Sequence, residues 1–286
     1  MKYDYALLDS GNFRKLEKVG PYLLIRPCLQ AIWSPSQEKE WQKAHFEFKR
    51  QKDGSTLWSS LEKGKTKPTS WPIHLGHFQK TLVKLTDFGH LGFFPEHHVH
   101  TKFLEEVVSK QKSKKDFRVL NLFAYTGALS LFLANLGVQV THLDASKKSI
   151  DWGKENLELS KIDTNFIRWI ADDVVKFVQR EERRNSLYDG VILDPPTFGR
   201  GTKGEVWKIE ESLPLLMKDL MKLLKKDFSF IILSSHTPGH TPLALKNLLS
   251  DYVQDKKNIE AFELTVTEEL SGRLLPSGSC AIYKKR

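Results

Sequence analysis

From about residue 98 onward the chain alternates two hydrophobic periodicities. Apolar runs of strand length at 117–123, 138–143, 165–170, 188–193 and 228–234 are separated by segments whose apolar residues recur at helical spacing. Those segments cover 98–112, 127–137, 146–160, 173–184, 205–225 and 241–253. Strands that are apolar on both faces, each followed by an amphipathic helix, predict a parallel sheet with helices covering both sides. Two further extended segments, 259–268 and 279–284, follow with no room for a crossover helix, so one is expected to run antiparallel. The predicted class is α/β, a Rossmann-like doubly wound sheet with an antiparallel final strand.

Residues 1–85 read differently. Tyr22-Leu23-Leu24-Ile25-Arg26 lies between two prolines, and Ala44-His45-Phe46-Glu47-Phe48-Lys49 alternates as a half-buried strand does. Trp71-Pro72-Ile73-His74-Leu75 and the run from Phe78 to Val83 are joined by Gly76-His77, a hairpin signal. Four tryptophans (Trp33, Trp41, Trp58 and Trp71) are expected to supply the core of this region. The predicted organisation is a small β-rich basic domain over 1–85 and a catalytic domain over 86–286.

Charge sharpens that division. Residues 1–115 hold 20 Lys/Arg against 12 Asp/Glu, so 8 of the net +9 charges lie there. A basic leading segment on a nearly neutral α/β half fits a nucleic-acid substrate attracted through its phosphates; solvated loops at 63–67 and 110–115 are the competing explanation. No apolar run reaches the about 20 residues needed to cross a bilayer, and the N-terminus lacks a secretory pattern. Cys28 and Cys280 are far apart and in no metal-type spacing. A soluble, cytoplasmic protein is expected, with no membrane partner. His90, His97, His98 and His100 cluster in sequence, but Glu96 is the only acid beside them, so no metal is expected.

The chemistry concentrates at strand ends. Asn121, Phe123, Ala124, Tyr125, Thr126 and Gly127 form a strand, tight loop and helix start, with Thr126 placed to cap the helix. Asp144, followed by Ala145 and Ser146, ends the second strand about 20 residues further on, where a carboxylate can accept ribose hydroxyls. Ala171, Asp172 and Asp173 end the third strand; Asp173 can take an adenine amino group or serve as an N-cap. The fourth strand ends in Asp194, Pro195, Pro196, Thr197 and Phe198. The prolines remove a backbone donor and stiffen the corner, leaving Asp194 as a rigid acceptor beside an aromatic face able to stack on a planar ring. The loop lacks the three glycines a pyrophosphate needs, which suits a cofactor with an adenosine and an amino-acid tail, namely S-adenosylmethionine.

These blocks resemble the class I S-adenosylmethionine-dependent methyltransferases of the ribosomal RNA large-subunit type, whose members methylate cytosine C5 or guanine N7. The resemblance spans roughly 80–286 and includes an upstream segment, Phe88-Gly89-His90-Leu91-Gly92-Phe93-Phe94-Pro95-Glu96. It implies that Phe94, Glu96, Phe123, Tyr125, Asp144, Asp173 and Asp194 line the cofactor pocket, and that RNA, ribosomal RNA in particular, is the partner.

One departure bears on the chemistry. Cytosine C5 is unactivated carbon, so its methylation needs a cysteine thiolate. Here Leu233-Ser234-Ser235-His236-Thr237-Pro238-Gly239 holds serines and a histidine, and the proline block holds Thr197. Methylation of a nucleobase nitrogen is therefore expected, with Asp194, Pro195, Pro196 and Phe198 as the catalytic corner and Arg200, Lys203 and His236 contacting substrate. The glycine-rich, basic 199–204 segment reads as a phosphate clamp, a lid or a plain connector. A methyltransferase acting on a protein side chain or small molecule, and a non-catalytic RNA-binding protein of this fold, remain as alternatives.

Overall fold

Short extended segments in the first sixty residues, the first of them almost wholly buried, build a sheet. In the computed structural model, residues 3–51, 54–76, 79–201 and 204–285 are described, so Asp53, His77, Phe78 and Lys203 lie outside the description. Strands β1 (Tyr5–Gly11), β2 (Arg14–Val19) and β3 (Tyr22–Pro27) run antiparallel in turn. The short helix α1 (Glu38–Trp41) follows, then β4 (Phe46–Arg50) and β5 (Thr56–Ser60), giving the order β1-β2-β3-β4-β5. Asn12 and Phe13, at φ 50° and 61°, make the β1–β2 turn; two successive left-handed residues match the twist of a tight hairpin. Strands β6 (Trp71–His74) and β7 (Lys80–Val83) pair antiparallel as a separate ribbon. Trp58 and Trp71 are buried among Phe46, Phe48 and Tyr5, whereas Trp33 and Trp41 pack at the margins of smaller clusters.

This unit comprises Met1–Glu96 and, returning from far down the chain, Thr265–Ser277. It therefore runs past the boundary expected at 85 and includes a segment that composition did not flag. Inside it Glu17, fully buried, accepts from Arg26 Nε at 2.6 Å, Arg26 Nη2 at 2.8 Å and the Tyr5 hydroxyl at 2.9 Å.

The second unit comprises His97–Leu264 and Gly278–Arg286. Its elements are α2 (Val99–Ser109), β8 (Arg118–Leu122), α3 (Ala128–Asn135), β9 (Gln139–Asp144), α4 (Lys147–Ser160), β10 (Ile167–Ala171) and α5 (Val174–Arg183). They continue with β11 (Gly190–Leu193), β12 (Phe198–Arg200), β13 (Val206–Lys208), α6 (Ile209–Met221), β14 (Phe230–Ser235) and α7 (Pro242–Ser250). Strands β15 (Ile259–Thr267) and β16 (Leu274–Lys284) close the chain, their far ends belonging to the first unit.

The sheet order is β10-β9-β8-β11-β14-β16-β15. Strands β10, β9, β8, β11 and β14 are mutually parallel, and β16 pairs antiparallel with β14, the expected doubly wound sheet with an antiparallel closing strand. Separate apolar layers form on its two sides, one around Tyr188, Met217 and Leu233, the other around Leu104, Leu131 and Phe230. One local expectation fails: the helix expected from 205 begins at Ile209, because β12 and β13 pair as a ribbon first. Of the 199–204 segment, Gly199 and Arg200 belong to that ribbon. Among the described residues no helix is long and apolar enough to cross a membrane.

Candidate active site

Strand order reverses between β9 and β11 on either side of β8, and such a switch opens a crevice at the carboxyl ends. The loop after β8 is tightly wound: Phe123, Tyr125 and Gly127 take φ of 56°, 51° and 88°. A Cβ on Gly127 would lie 3.0 Å from Leu131 and 3.3 Å from Trp169, so this position requires glycine on both counts. Gly127 itself, with no side-chain cap, starts α3, so Thr126 does not cap the helix. Thr126 is buried, and its carbonyl accepts from Asn156 Nδ2 at 3.2 Å.

Asp144 organises the crevice. Its Oδ2 accepts from Tyr125 N–H at 2.9 Å and its Oδ1 from Ser146 N–H at 2.8 Å, while its backbone carbonyl accepts from Asp172 N–H at 3.1 Å. Burial pushes its carboxyl upward, partly countered by those two amide donors. Two of the about four acceptor sites on a carboxylate are thus filled, and the others remain for ligand hydroxyls. Ser146 caps α4, its Oγ accepting from Ser149 N–H at 3.2 Å, and Ala145 lies between cap and carboxylate. The arrangement fits the ribose end of an adenosine cofactor.

The neighbouring residues divide. Asn121 is buried, and its amide donates to Ser130 Oγ at 2.9 Å, which contacts His142 Nδ1 at 2.9 Å. These contacts brace the strand end from which the loop departs. Ala124 N–H donates to the Leu143 carbonyl, tying the loop to β9, and the Tyr125 ring lies 6.0 Å from Trp152. Asp173 caps α5 through Lys176 N–H at 3.0 Å, the structural option of the two foreseen. Asp172 pairs with Arg180 and accepts from Asp173 N–H at 2.8 Å; Ala171 beside it is exposed. Phe94 and Glu96 belong to the first unit. The Phe94 ring stands edge-on to His90 at 5.5 Å, and the charge of Glu96 acts on Tyr3, Tyr5 and Arg26 there.

Asp194 leaves β11 straight into buried Pro195 and exposed Pro196. His97 Nε2 lies 3.0 Å from its Oδ2, and His236 Nε2 lies 3.5 Å from its Oδ1. Burial would raise this carboxyl, but the two imidazoles outweigh it and hold it well below the usual carboxylate range. The corner is braced twice. Trp207 Nε1 donates to the Pro196 carbonyl at 2.7 Å, and Thr197 Oγ1 meets Thr237 Oγ1 at 2.8 Å. The Trp207 ring also lies against Phe123, centroids 4.9 Å apart. Phe198 is 53% exposed and Arg200 is exposed on the ribbon beyond it. Trp207 was not singled out from the sequence, and His97 was weighed only within a histidine cluster, because neither contact follows from a local spacing.

Among the described residues of this unit, Cys280 is the one cysteine. Cys280 pairs across from Ser234 and is fully buried, and burial pushes its thiol far up, the Asp194 charge adding to the effect.

Comparison with known proteins agrees with this geometry. The family model of S-adenosylmethionine-dependent methyltransferases matches residues 69–225. A SAM-dependent methyltransferase from Agrobacterium tumefaciens is 36% identical and superposes with a TM-score of 0.92, over 100% of this chain and 92% of that one. A candidate methyltransferase solved with SAH shares the fold at a TM-score of 0.71 and 19% identity, over 98% of this chain and 75% of that one. The ribosomal RNA large subunit methyltransferase K/L of Pseudoalteromonas atlantica is 29% identical over 199 residues, covering 69% of this chain but only 25% of the relative. With more than half its length matched, and a wound sheet whose acidic strand ends suit adenosine, the chain belongs to the S-adenosylmethionine-dependent methyltransferases.

Proposed function

We propose that this enzyme methylates a nucleobase nitrogen in ribosomal RNA. The observation that carries the reading is the Asp194 corner: a carboxylate at the end of β11, beside the switch point, followed by two prolines and an exposed Phe198. The Asp144 end of the crevice holds the adenosine hydroxyls, and Phe123 and Tyr125 flank it on a loop braced by Asn121. When bound, S-adenosylmethionine supplies an electrophilic methyl group and leaves as a neutral thioether. Phe198 stacks on a base turned out of its helix, and Asp194 fixes the base edge. The nitrogen lone pair forms the new N–C bond as the C–S bond breaks. An N7-type nitrogen carries no proton, so no base is needed and the rate comes from alignment.

Support for RNA is threefold. The positive charge is concentrated in residues 1–115. Arg200 lies exposed on the ribbon next to Phe198, with Lys203 following in sequence. The relative from Pseudoalteromonas atlantica is named for large-subunit ribosomal RNA. The buried, protonated state of Cys280 speaks against cytosine C5. Nucleoside mass spectrometry of ribosomal RNA from cells with and without the gene tests the proposal. A single N-methylated nucleoside missing from the deletion strain is expected; an unchanged profile, or loss of a C5-methylcytosine, would overturn it.

A further inference from the structure

One histidine of the sequence cluster, His97, meets a distant carboxylate and a second imidazole in the fold. His97 lies in the 3₁₀ turn Pro95–His98 that feeds α2, Asp194 ends β11, and His236 follows β14. Each presents one ligand atom, and the three atoms lie within 4.8 Å of one another. Both imidazoles aim the same nitrogen, Nε2, at the two oxygens of one carboxylate, at 3.0 and 3.5 Å. A tetrahedral ion with bonds of about 2.0–2.1 Å sets its ligand atoms about 3.3 Å apart, a spacing these three side chains reach with small ring and carboxylate adjustments.

The surroundings hold the rings in that pose. The fully buried His100 ring lies 5.4 Å from His97. On the other side Gly278, at φ 141°, packs on His236: a Cβ there would stand 2.8 Å from Nδ1 and 3.0 Å from Cε1. Access is graded, the side chains of His97, Asp194 and His236 being 11%, 21% and 36% exposed. A rigid inner ligand, a carboxylate and a half-exposed outer ligand leave a coordination position open toward solvent.

We propose that His97, Asp194 and His236 bind a divalent cation of the zinc class, with two imidazoles and one carboxylate as ligands and an open fourth position. Two neutral imidazoles select zinc, cobalt or nickel over magnesium or calcium, which prefer all-oxygen shells. The site shares Asp194 with the corner proposed to hold the base, and its test reads metal binding without any methyl acceptor.

Cobalt absorption tests it. Untagged full-length protein, stripped with chelator, is titrated with Co²⁺ while visible d–d bands are recorded. A saturable one-to-one spectrum is expected for the wild type and for His98→Ala, an exposed neighbour. The spectrum should be lost in His97→Ala, Asp194→Ala and His236→Ala with far-ultraviolet circular dichroism unchanged. Because the first two positions are the more buried, His236→Ala decides, and Gly278→Ala, which crowds the same ring, gives a second reading with the expected loss. No bands in the wild type, bands that survive His236→Ala, or a thiolate charge-transfer band from Cys28 or Cys280 would each overturn the site. Calorimetry with S-adenosylmethionine on the same samples separates that failure from failure of the methyltransferase reading.

Discussion

Trp207 donates its indole N–H to the carbonyl of Pro196 at 2.7 Å, so the rigid proline corner is held by a residue on β13, the second strand of the ribbon that follows it. The same indole leans on Phe123 in the loop after β8, which couples the two ends of the crevice through one side chain. Trp207→Phe keeps most of the ring and removes the donor. It should cost about 0.5–1.5 kcal/mol in denaturant unfolding, the usual net worth of one hydrogen bond, because Pro196 is exposed and water can reach its carbonyl. Methyl transfer should fall by more than cofactor affinity does, because the corner, not the Asp144 end, loses its brace.

Asp194→Ala should lower methyl transfer at least about 100-fold, in the range seen when a preorganised polar group is removed from an active site. Circular dichroism should be unchanged and S-adenosylmethionine should still bind. Wild-type turnover in the variant would remove Asp194 from the catalytic role proposed for it.

Asp144→Asn keeps the shape but replaces one acceptor oxygen by a donor facing an amide N–H. Two consequences are expected together: weaker S-adenosylmethionine binding in calorimetry, by about 10-fold or more for a lost charge-assisted hydrogen bond, and a less ordered 123–127 loop. Affinity equal to wild type would show that the ribose hydroxyls are held elsewhere.

His142 is fully buried, and burial drives its pKa down to about 3 from 6.5. In the folded state it stays neutral where the unfolded chain takes up a proton. Its contribution to stability is therefore complete above about pH 6.5 and is lost as pH falls from there toward about 3, at up to about 1.4 kcal/mol per pH unit. His142→Asn should flatten this slope in unfolding curves measured across that window. A slope identical to wild type would assign the acid sensitivity to other groups.

The buried Glu17–Arg26 pair makes an opposite arrangement of charge. Burial alone would raise Glu17, yet Arg26 and Lys15 bring it down to about 2. Glu17→Gln leaves the Arg26 guanidinium without its bidentate partner in a buried setting and should destabilise the protein by about 3–5 kcal/mol. Chemical denaturation measures it directly, and a loss below about 1 kcal/mol would mean that water reaches the pair.

Where residue pattern and local sterics decide, the sequence was informative. Four of the five apolar runs became parallel strands buried on both faces, the fifth forming the more exposed edge strand β10, and Asp144 could be placed because a strand end and a helix cap enclose it. What stayed hidden depends on distant partners. The β1–β2 hairpin turns on Asn12 and Phe13, a pair without glycine, so the usual turn signal is missing. Asn121 donates to Ser130, which in turn meets His142, contacts that its place in the loop motif did not announce. Thr126 looked like a cap, yet the left-handed Gly127 takes that position. His97 meets Asp194 across 97 residues, a separation that no spacing rule spans.

The detour of Thr265–Ser277 into the first unit constrains how such a protein can be dissected or shuffled. Ser10 donates to Glu268, so a fragment ending at Glu96 would lose an acceptor inside its own fold. Neither half is a cassette that can be swapped by one cut in the gene; exchanging the leading module between relatives requires carrying a hairpin tip encoded some 170 codons downstream along with it. Chimeras made at a single junction should misfold, and those made at three should not.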